Sequence, residues 1–487
     1  MSLATYDDYI AYTRQHFEEG LIRSGYVETD TGWQGPITHG GGTASIVITL
    51  PSRFPFRPPR VIPVETDEVP LSWHRELDGA LCLVAEDDHE GLWWTETDAF
   101  LEHIKSWFEN ANLGWPDDRP DLDLDRYFQC SDDEQLYLYD DLSQRRNSYV
   151  RFRPSSNNTM KIGSGTRPVK TSKRSKDRFG YVADLGEVAT PPHKWDDIAA
   201  RIDPNVNIDR QIRAHAIGIV VLIYRRGAHD GAITLEVWPT TTGGIAVRRL
   251  RSAADTEAAR SSRAGALAPQ LNQSQLAIVG VGALGSFIAD AAVRSGFRHL
   301  TLVDADVVMP GNLVRHLVGP EAIGRSKAQA VKSHLVARSE IHPDSINLIE
   351  TALSTGAEAV DLLNEHDLVI NATADFATTA LLHVAAESIG TRILSAALQN
   401  TGATYRIDVL PPLDGATPQP SSTIAARSPS AEVFEAGCGS PISPTPPVAV
   451  IEAAAATVRH AIGLILKSPL NPAGEVRNIP VTAEGNQ

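Results

Sequence analysis

The sequence predicts a mixed α/β protein with a doubly wound parallel sheet in its C-terminal half and a smaller domain ahead of it. From about residue 263 onward, the apolar runs LAIVGVG, HLTLVDAD, DLVINAT and TRILSAAL alternate with alanine-rich helical stretches, which is typical of a mostly parallel sheet. Residues 1–116 are rich in aromatic side chains and carry helix, strand and turn signals of their own. A chain of 487 residues also exceeds one ordinary core, so we expect two or three domains.

Composition excludes several classes of protein. The formal net charge of −16 argues against nucleic-acid binding, which needs a basic surface. No apolar run is predicted to reach the length of a membrane span, and the N-terminus lacks the basic and then apolar order of a secretory signal. Three cysteines are too few for a disulfide framework and suit a reducing compartment. We therefore expect a cytoplasmic protein without nucleic-acid or membrane partners.

Two regions lie between the predicted domains. Residues 117–180 pass from an acidic stretch to a basic one with few apolar residues, which predicts a charged, flexible or extended linker, with a docking surface as the alternative. Residues 181–262 contain β-branched runs, AIGIVVLIYRRG and AITLEVWPTT, that predict strands. No catalytic constellation is visible there, and we interpret this region as a scaffolding or dimerisation module.

A glycine triad follows the first strand of the C-terminal domain, 263–487. Gly280, Gly282 and Gly285 stand between LAIVGVG and a helix, where they allow a tight turn, close approach of backbone to a phosphate, and packing of helix on strand. Asp304 ends the next strand, where a carboxylate can bind ribose hydroxyls. These residues alone fit an NAD-dependent oxidoreductase nearly as well as an ATP-binding enzyme.

The polar residues after the second strand are more specific. Asn312, Arg315 and Lys327 come soon after Asp304, and a hydride-transfer enzyme does not need them near the phosphates. An adenylating enzyme does, because attack on the α-phosphate builds negative charge. Asp375 follows the strand DLVINAT, where it can hold Mg²⁺ or, alternatively, cap the next helix. A plain surface turn is the alternative for Asn312 and Arg315.

With these motifs in order, residues 276–466 resemble the adenylating domain of ubiquitin-activating enzymes and their bacterial ThiF/MoeB-type relatives. The resemblance implies a Rossmann-like ThiF fold, ATP bound with its ribose at Asp304, and Mg²⁺ at Asp375. Phosphate contacts, with a catalytic role for the arginine, are implied for Asn312, Arg315 and Lys327. It also implies a homodimer in which an arginine reaches the other subunit's site, with Arg260 and Arg263 as candidates.

Cys438 lies in EAGCGSPISPTPP, a stretch rich in Gly, Pro and Ser before a final alanine-rich helix. A nucleophile that must travel to an acyl adenylate needs a mobile loop. The family places its thioester-forming cysteine in a comparable segment, so the resemblance implies that role for Cys438; an inert loop thiol is the alternative. The paired CxxC motifs of structural zinc sites are absent from the sequence, so we predict no zinc.

The N-terminal motifs are FPFRPPRVIPV and, further on, WHRELDGALCLV, which carries Cys82. Their order resembles the α+β ubiquitin-conjugating domain over residues 1–116, and implies that Cys82 accepts the modifier by transthiolation. His74 falls at the histidine of that family's His-Pro-Asn motif, but Arg75 and Glu76 follow it and the asparagine is missing. A structural role for His74 and a buried core thiol for Cys82 are the alternatives, and Cys130 has no recognisable context.

A conjugating-like domain fused to an activating-like domain resembles bacterial proteins of CBASS-type antiphage operons. The resemblance implies activation of a ubiquitin-like protein, or of the C-terminus of a cGAS-like nucleotidyltransferase, and transfer to a target protein. Three alternatives stay open: a sulfur-carrier activator of the ThiF/MoeB type, an NAD-dependent oxidoreductase, and a binding module with an inactive conjugating domain.

Overall fold

The computed structural model describes residues 5–65, 71–84, 91–115, 124–155, 158–165, 177–339, 341–420 and 444–479. The chain divides into two compact units, which are Met1–Thr256 and Glu257–Gln487.

Unit 1 begins with a helix and an antiparallel meander of four strands in the order β1-β2-β3-β4. Thr5 caps the first helix by accepting a hydrogen bond from the Asp8 amide at 3.2 Å, and Gly114 ends the second in the left-handed conformation. Alternating residues of the strands face a core with Phe17 and Phe100 from the helices. The elements are α1 (Tyr6–Arg23), β1 (Val27–Thr29), β2 (Gly32–His39), β3 (Gly42–Thr49), β4 (Arg60–Pro63) and α2 (Thr97–Leu113).

The rest of unit 1 is an eight-stranded sheet in the order β11-β10-β9-β8-β6-β7-β5-β12. Two short helices cover one face, where Ile198 and Ile212 are fully buried, and Phe152 and Val221 lie in a second core. The helices are α3 (Trp195–Ala199) and α4 (Ile208–Arg213). The strands are β5 (Leu136–Tyr139), β6 (Ser148–Pro154), β7 (Thr159–Ser164), β8 (Arg178–Glu187), β9 (Ile219–Arg226), β10 (His229–Pro239), β11 (Ile245–Arg249) and β12 (Ser252–Ala254).

The prediction of a linker at 117–180 is wrong, because strands β5, β6 and β7 and the start of β8 lie within that range and belong to this sheet. The acidic and basic blocks pair with each other rather than extending the chain. Arg145 binds Asp140 at 2.6 Å, and Arg178 binds Asp133 at 2.9 Å. A single module therefore extends from Leu124 to Ala254 and includes most of the β-rich region predicted at 181–262.

Unit 2 confirms the doubly wound sheet, in the order β15-β14-β13-β16-β17-β18-β19. The first five strands in this order, from β15 to β17, pair in parallel with their neighbours. Strands β18 and β19 pair antiparallel and form one edge of the sheet. The strands are β13 (Gln275–Val279), β14 (His299–Val303), β15 (Ile346–Ile349), β16 (Leu368–Asn371), β17 (Ile393–Gln399), β18 (Thr404–Leu410) and β19 (Gly474–Asn478). The helices are α5 (Glu257–Ser261), α6 (Ala268–Leu271), α7 (Ala283–Ser295), α8 (Lys327–Ser339), α9 (Gly356–Glu365), α10 (Phe376–Ile389) and α11 (Pro447–Ile465).

Strand β13 is buried on both faces, which explains its unbroken apolar sequence. Leu276 and Ile278 pack in the core with α7, α8 and α11, whereas Ala277 and Val279 pack in the core with α9 and α10. Because β13 pairs in parallel with β14 and with β16, the carboxyl ends of these three strands meet at one edge of the sheet. Open α/β sheets bind ligands at this edge.

Helix α11 corrects the expectation that no segment reaches the length of a membrane span. Among the described residues it is the one helix long and apolar enough to cross a membrane, with a mean hydropathy of 1.6 over 18 of its 19 residues. More than half of it is buried, and it packs against α7 and β17. We interpret it as a core helix of unit 2, because Ala453, Ala454 and Ala461 are almost completely buried there.

Candidate functional site

The turn between β13 and α7 brings backbone amides to the carboxyl edge of the sheet. Gly280 has a φ of +83°, and a Cβ there would lie 2.9 Å from the Thr373 backbone nitrogen. Gly285 packs so closely that a Cβ would collide with the carbonyl oxygen of Gly280. Gly282, the N-cap of α7, differs because a Cβ there would meet no described atom within 4 Å. The turn is therefore tightly packed against the protein at Gly280 and Gly285 and leaves free space at Gly282. The N-terminus of α7 favours an anion in that space.

Asp304 fixes the geometry of this turn. Its Oδ2 accepts a hydrogen bond from the Val281 amide at 2.8 Å, and its Oδ1 accepts one from the Asp306 amide at 2.9 Å. Each carboxylate oxygen can accept more than one hydrogen bond, so Asp304 retains capacity for a ligand hydroxyl.

Two cationic side chains, Arg315 and Lys327, line the same cavity. Lys327 is the first residue of α8, and its Nζ lies 2.8 Å from Asp306 Oδ2. Asn312 is not among the lining residues, and its Oδ1 accepts a hydrogen bond from the Met309 amide at 3.0 Å. In this structure Asn312 therefore shapes the loop that carries Arg315.

His316 is a residue that the sequence analysis missed. It is buried, its Nε2 lies 2.9 Å from the Val281 carbonyl oxygen, and its Nδ1 accepts from the Val318 amide at 3.3 Å. This pairing requires the neutral ring with the proton on Nε2. Burial lowers the pKa of His316, which keeps that form at neutral pH. His316 thus links the Arg315 loop to the glycine turn, and only its position next to Arg315 could have suggested this role.

The loop after β16 forms the opposite side of the cavity. Asn371 is buried, and its Oδ1 accepts a hydrogen bond from Thr373 Oγ1 at 2.8 Å. Asp375 caps α10 by accepting hydrogen bonds from the Thr378 amide at 2.7 Å and from its hydroxyl at 2.8 Å. These hydrogen bonds lower the pKa of the exposed Asp375 carboxylate, so it is ionised at neutral pH. Asp375 is beside the cavity, which Ala374 and Thr378 line, rather than within its lining.

The assembled cavity has a volume of about 410 Å³. Its polar lining groups include Gly280, Gly282, Asp304, Arg315 and Lys327. A glycine turn, a helix N-terminus, a carboxylate and two cations suit a nucleotide with its phosphates. Within the part of the chain that the structure describes, no group of three or more His, Cys, Asp or Glu residues could by itself hold a metal ion. A bound Mg²⁺ would therefore need ligand oxygens from the nucleotide and water in addition to Asp375.

In unit 1, Cys82 follows a short bridge between Arg75 and Leu81. Its amide donates to the His74 carbonyl at 2.9 Å, and its half-buried thiol lies 3.5 Å from Arg126 Nη1. The His74 ring stacks on Trp115, with ring centroids 3.6 Å apart. The thiol therefore has a cationic neighbour 44 residues further along the chain, which no motif in the sequence indicated.

The structure does not describe all of the other predicted site residues. Cys438 lies outside the described residues, as does the side chain of Arg260. Arg263 is exposed in a short turn, Ser262–Ala264. Cys130 is exposed as a free thiol.

Comparison with known proteins places a family model, the ThiF family, on residues 259–479, which is less than half of the chain. Most of unit 2 is therefore similar to the ThiF family. An ATP-dependent ubiquitin transferase-like protein Cap2 of Enterobacter hormaechei is 34% identical over 113 residues, which is 23% of this chain and 18% of the relative. A probable adenylyltransferase/sulfurtransferase MoeZ of Mycobacterium tuberculosis is 32% identical over 122 residues, 25% of this chain and 30% of the relative. The chain thus spans less than a third of either relative's length.

Among solved structures, MccB of E. coli is similar at 16% identity and a TM-score of 0.35, covering 44% of this chain and 64% of that chain.

Proposed function

We propose that this protein uses ATP to adenylate the C-terminal carboxylate of a ubiquitin-like protein. The observation that carries the proposal is the cavity of unit 2, where the glycine turn, Asp304, Arg315 and Lys327 converge at the N-terminus of α7. The match of residues 259–479 to the ThiF family supports it.

The residues in and beside the cavity fit ATP and Mg²⁺. Gly282 leaves open space where phosphates would approach the amides of α7, and Asp304 would accept ribose hydroxyls. Asp375 would hold Mg²⁺ together with phosphate and water oxygens, and the metal would help neutralise the triphosphate. Arg315 and Lys327 would offset the charge that builds on the α-phosphate while the carboxylate oxygen forms its new P–O bond and pyrophosphate leaves.

A thioester relay would follow. The Cys438 thiolate attacks the acyl adenylate, a C–S bond forms, and AMP leaves. Cys82 then attacks that thioester, and Cys438 leaves as a thiolate. Finally an amine or hydroxyl of a target protein takes the acyl group from Cys82. Cys438 precedes Thr445, a cavity-lining residue, by seven positions, which supports its role as the first acceptor.

The Cap2 relative is an ATP-dependent ubiquitin transferase-like protein, which supports ATP-dependent transfer of a ubiquitin-like protein. We propose a cytoplasmic homodimer that acts in bacterial antiphage defence of the CBASS type, with the C-terminus of a cGAS-like nucleotidyltransferase or another ubiquitin-like protein as its partner. Arg260 or Arg263 would contribute to the site of the other subunit.

The first test is ATP–pyrophosphate exchange with purified protein and the proteins encoded beside it. Exchange that requires a partner protein is expected, and Arg315→Ala should reduce it by on the order of a hundredfold because a cation at the developing charge is lost. Arg294→Ala is the matched control, since Arg294 pairs with Asp290 on α7 at 2.8 Å and is not among the cavity-lining residues. Exchange of equal rate without any partner would contradict a protein substrate.

MoeZ supports a second candidate, which is adenylation of a sulfur-carrier protein without conjugation. A lysine trap separates the two. In the native host, Cys82→Lys should convert a transient thioester to a stable amide, giving a heavier intact mass under reducing conditions. That species should be absent from a Cys438→Ala, Cys82→Lys double variant. An unshifted mass, with pyrophosphate exchange intact, would favour the sulfur-carrier function.

A further inference from the structure

The turn Leu124–Tyr127 lies beside the thiol of Cys82, and its residues face two different environments. Leu124 and Tyr127 are buried in the core of the eight-stranded sheet. Arg126, between them, is only partly buried, and its Nη1 lies 3.5 Å from Cys82 Sγ. The apolar residues of this turn therefore anchor it in one core while the arginine extends to a sulfur that belongs to another part of unit 1.

The same anchor holds the segment that leads to Cys82. Trp73 is buried in the core that receives Tyr127, their rings meet edge to face at 5.7 Å, and Trp73 Nε1 donates to the Val188 carbonyl at 3.2 Å. The Tyr127 hydroxyl donates to the Ser72 carbonyl at 3.1 Å, and burial raises the pKa of Tyr127, which keeps that proton in place. The spacing between Arg126 and Cys82 is thus set by buried contacts on both sides.

We propose that Arg126 supplies the positive charge and the N–H donor for acyl transfer at Cys82. The inference rests on the proposed acceptor role of Cys82. In the transfer step, the amine lone pair forms a C–N bond to the thioester carbon, and the carbonyl π pair moves to oxygen. The oxygen pair then re-forms the C=O bond as the C–S bond breaks, Cys82 leaves as a thiolate with the C–S bonding pair, and the ammonium proton passes to water.

Negative charge appears in this step first on the acyl oxygen and then on Sγ. The oxygen is bonded to the carbon that Sγ carries, so a guanidinium at 3.5 Å from Sγ can reach both atoms. Arginine suits this task because its charge is permanent and its N–H groups form a rigid fork.

The first experiment measures charge at the sulfur without any substrate. The full chain is alkylated with iodoacetate or with iodoacetamide, and modification of Cys82 is followed by peptide mass spectrometry. Exposed Cys130 in the same molecules is the internal reference. A cation about 4 Å from the reacting centre should favour the anionic reagent by on the order of threefold to fivefold. That preference should fall in Arg126→Gln and persist in Arg126→Lys.

The second experiment measures transfer. Cys82 is acylated with the S-benzyl thioester of acetylglycine, and its discharge to free lysine is timed. Discharge should slow by about tenfold or more in Arg126→Gln and recover substantially in Arg126→Lys. Lysine and glutamine are similar in length and both lack the guanidinium, so the difference between these variants isolates the charge from any cost in folding. Arg146→Gln, which removes an ion pair with Asp184 elsewhere in unit 1, is the control.

The outcomes separate the inference from the function on which it rests. Equal reagent preference in wild type and Arg126→Gln, or equal discharge rates, would overturn the role of Arg126 and leave Cys82 as an acceptor. A wild-type chain that takes up no acyl group on Cys82 would overturn the acceptor role, and the inference with it.

Discussion

The proposed nucleotide cavity of unit 2 and the surroundings of Cys82 in unit 1 are built in different ways. The cavity takes most of its polar groups from turns that directly follow β13, β14 and β16, and backbone amides and carbonyls fix their positions. The Cys82 thiol instead meets Arg126 because Trp73 and Tyr127 are buried in the core of a neighbouring sheet. The first site depends on local backbone geometry and the second on tertiary packing, so different substitutions should damage them.

The largest expected effect is at Gly285. A methyl group there would collide with the Gly280 carbonyl oxygen, which belongs to the backbone and cannot rotate away. Gly285→Ala should cost about 3 kcal/mol or more in unfolding free energy of unit 2, at or above the usual range for overpacking. Denaturant unfolding followed by circular dichroism measures this.

Gly282→Ala is the matched control for that substitution. Its methyl group meets no described atom, so stability should be unchanged while ATP affinity, measured by calorimetry, falls. Equal stability of the two alanine variants would contradict the close packing of α7 on the glycine turn.

Trp73→Ala should have an effect of comparable size and should act on the other site. Loss of a buried tryptophan costs about 3–5 kcal/mol. Because Trp73 positions the segment leading to Cys82, the reagent preference of that thiol should fall towards that of Cys130, while ATP binding by unit 2 is retained. Trp238→Ala, at a partly exposed tryptophan of β10, is the control. A variant that loses ATP binding as well would show that the two sites are not independent.

His316 provides a smaller effect that depends on pH. Its pKa is lowered in the folded state, so the unfolded state binds the proton more readily and stability falls as pH drops below about 6.5. His316→Leu would leave the Val281 carbonyl without its donor, at a cost of about 1–3 kcal/mol at pH 7.5. That variant should also lose part of the pH dependence between pH 7 and 5. Thermal unfolding across this range is the measurement, and identical slopes for the two proteins would contradict the assignment.

The smallest effect on stability is expected at Asp375. Asp375→Asn keeps a good helix cap, whereas Asp375→Ala should cost about 1 kcal/mol. If Asp375 also holds Mg²⁺, both variants should raise the Mg²⁺ concentration needed for pyrophosphate exchange. A raised requirement in the alanine variant alone would indicate a capping role only.

The contrast between the sites also explains what the sequence could and could not predict. Gly280, Gly282 and Asp304 act through the turns in which they stand, so a motif of spaced residues was enough to predict where they would meet. Arg126 acts across 44 residues of chain, and its contact depends on a core that no local pattern specifies.

The region 117–180 failed as a predicted linker for a related reason. Along the chain its acidic and basic residues form separate blocks. In the sheet, however, these side chains form ion pairs with residues distant in sequence, as Arg151 does with Asp177 and Arg178 with Glu236. The strands there are short, and a fully buried residue such as Phe152 stands between two charged ones, Arg151 and Arg153. The high content of charged residues therefore masked the alternation of buried and exposed side chains that is typical of a strand.

The pairing of β5 with β12 has a mechanical consequence. The first and last strands of the eight-stranded sheet are parallel neighbours, with Tyr137 opposite Ser252 and Tyr139 opposite Ala254. Tension that pulled the chain before Leu136 away from the chain after Ala254 would act along these strands in opposite directions. Their hydrogen bonds, including those from Tyr137 to Arg251 and from Asp255 to Tyr139, would be sheared together instead of opening one after another. The module should therefore resist stretching between its ends more than a hairpin pulled open from one side would.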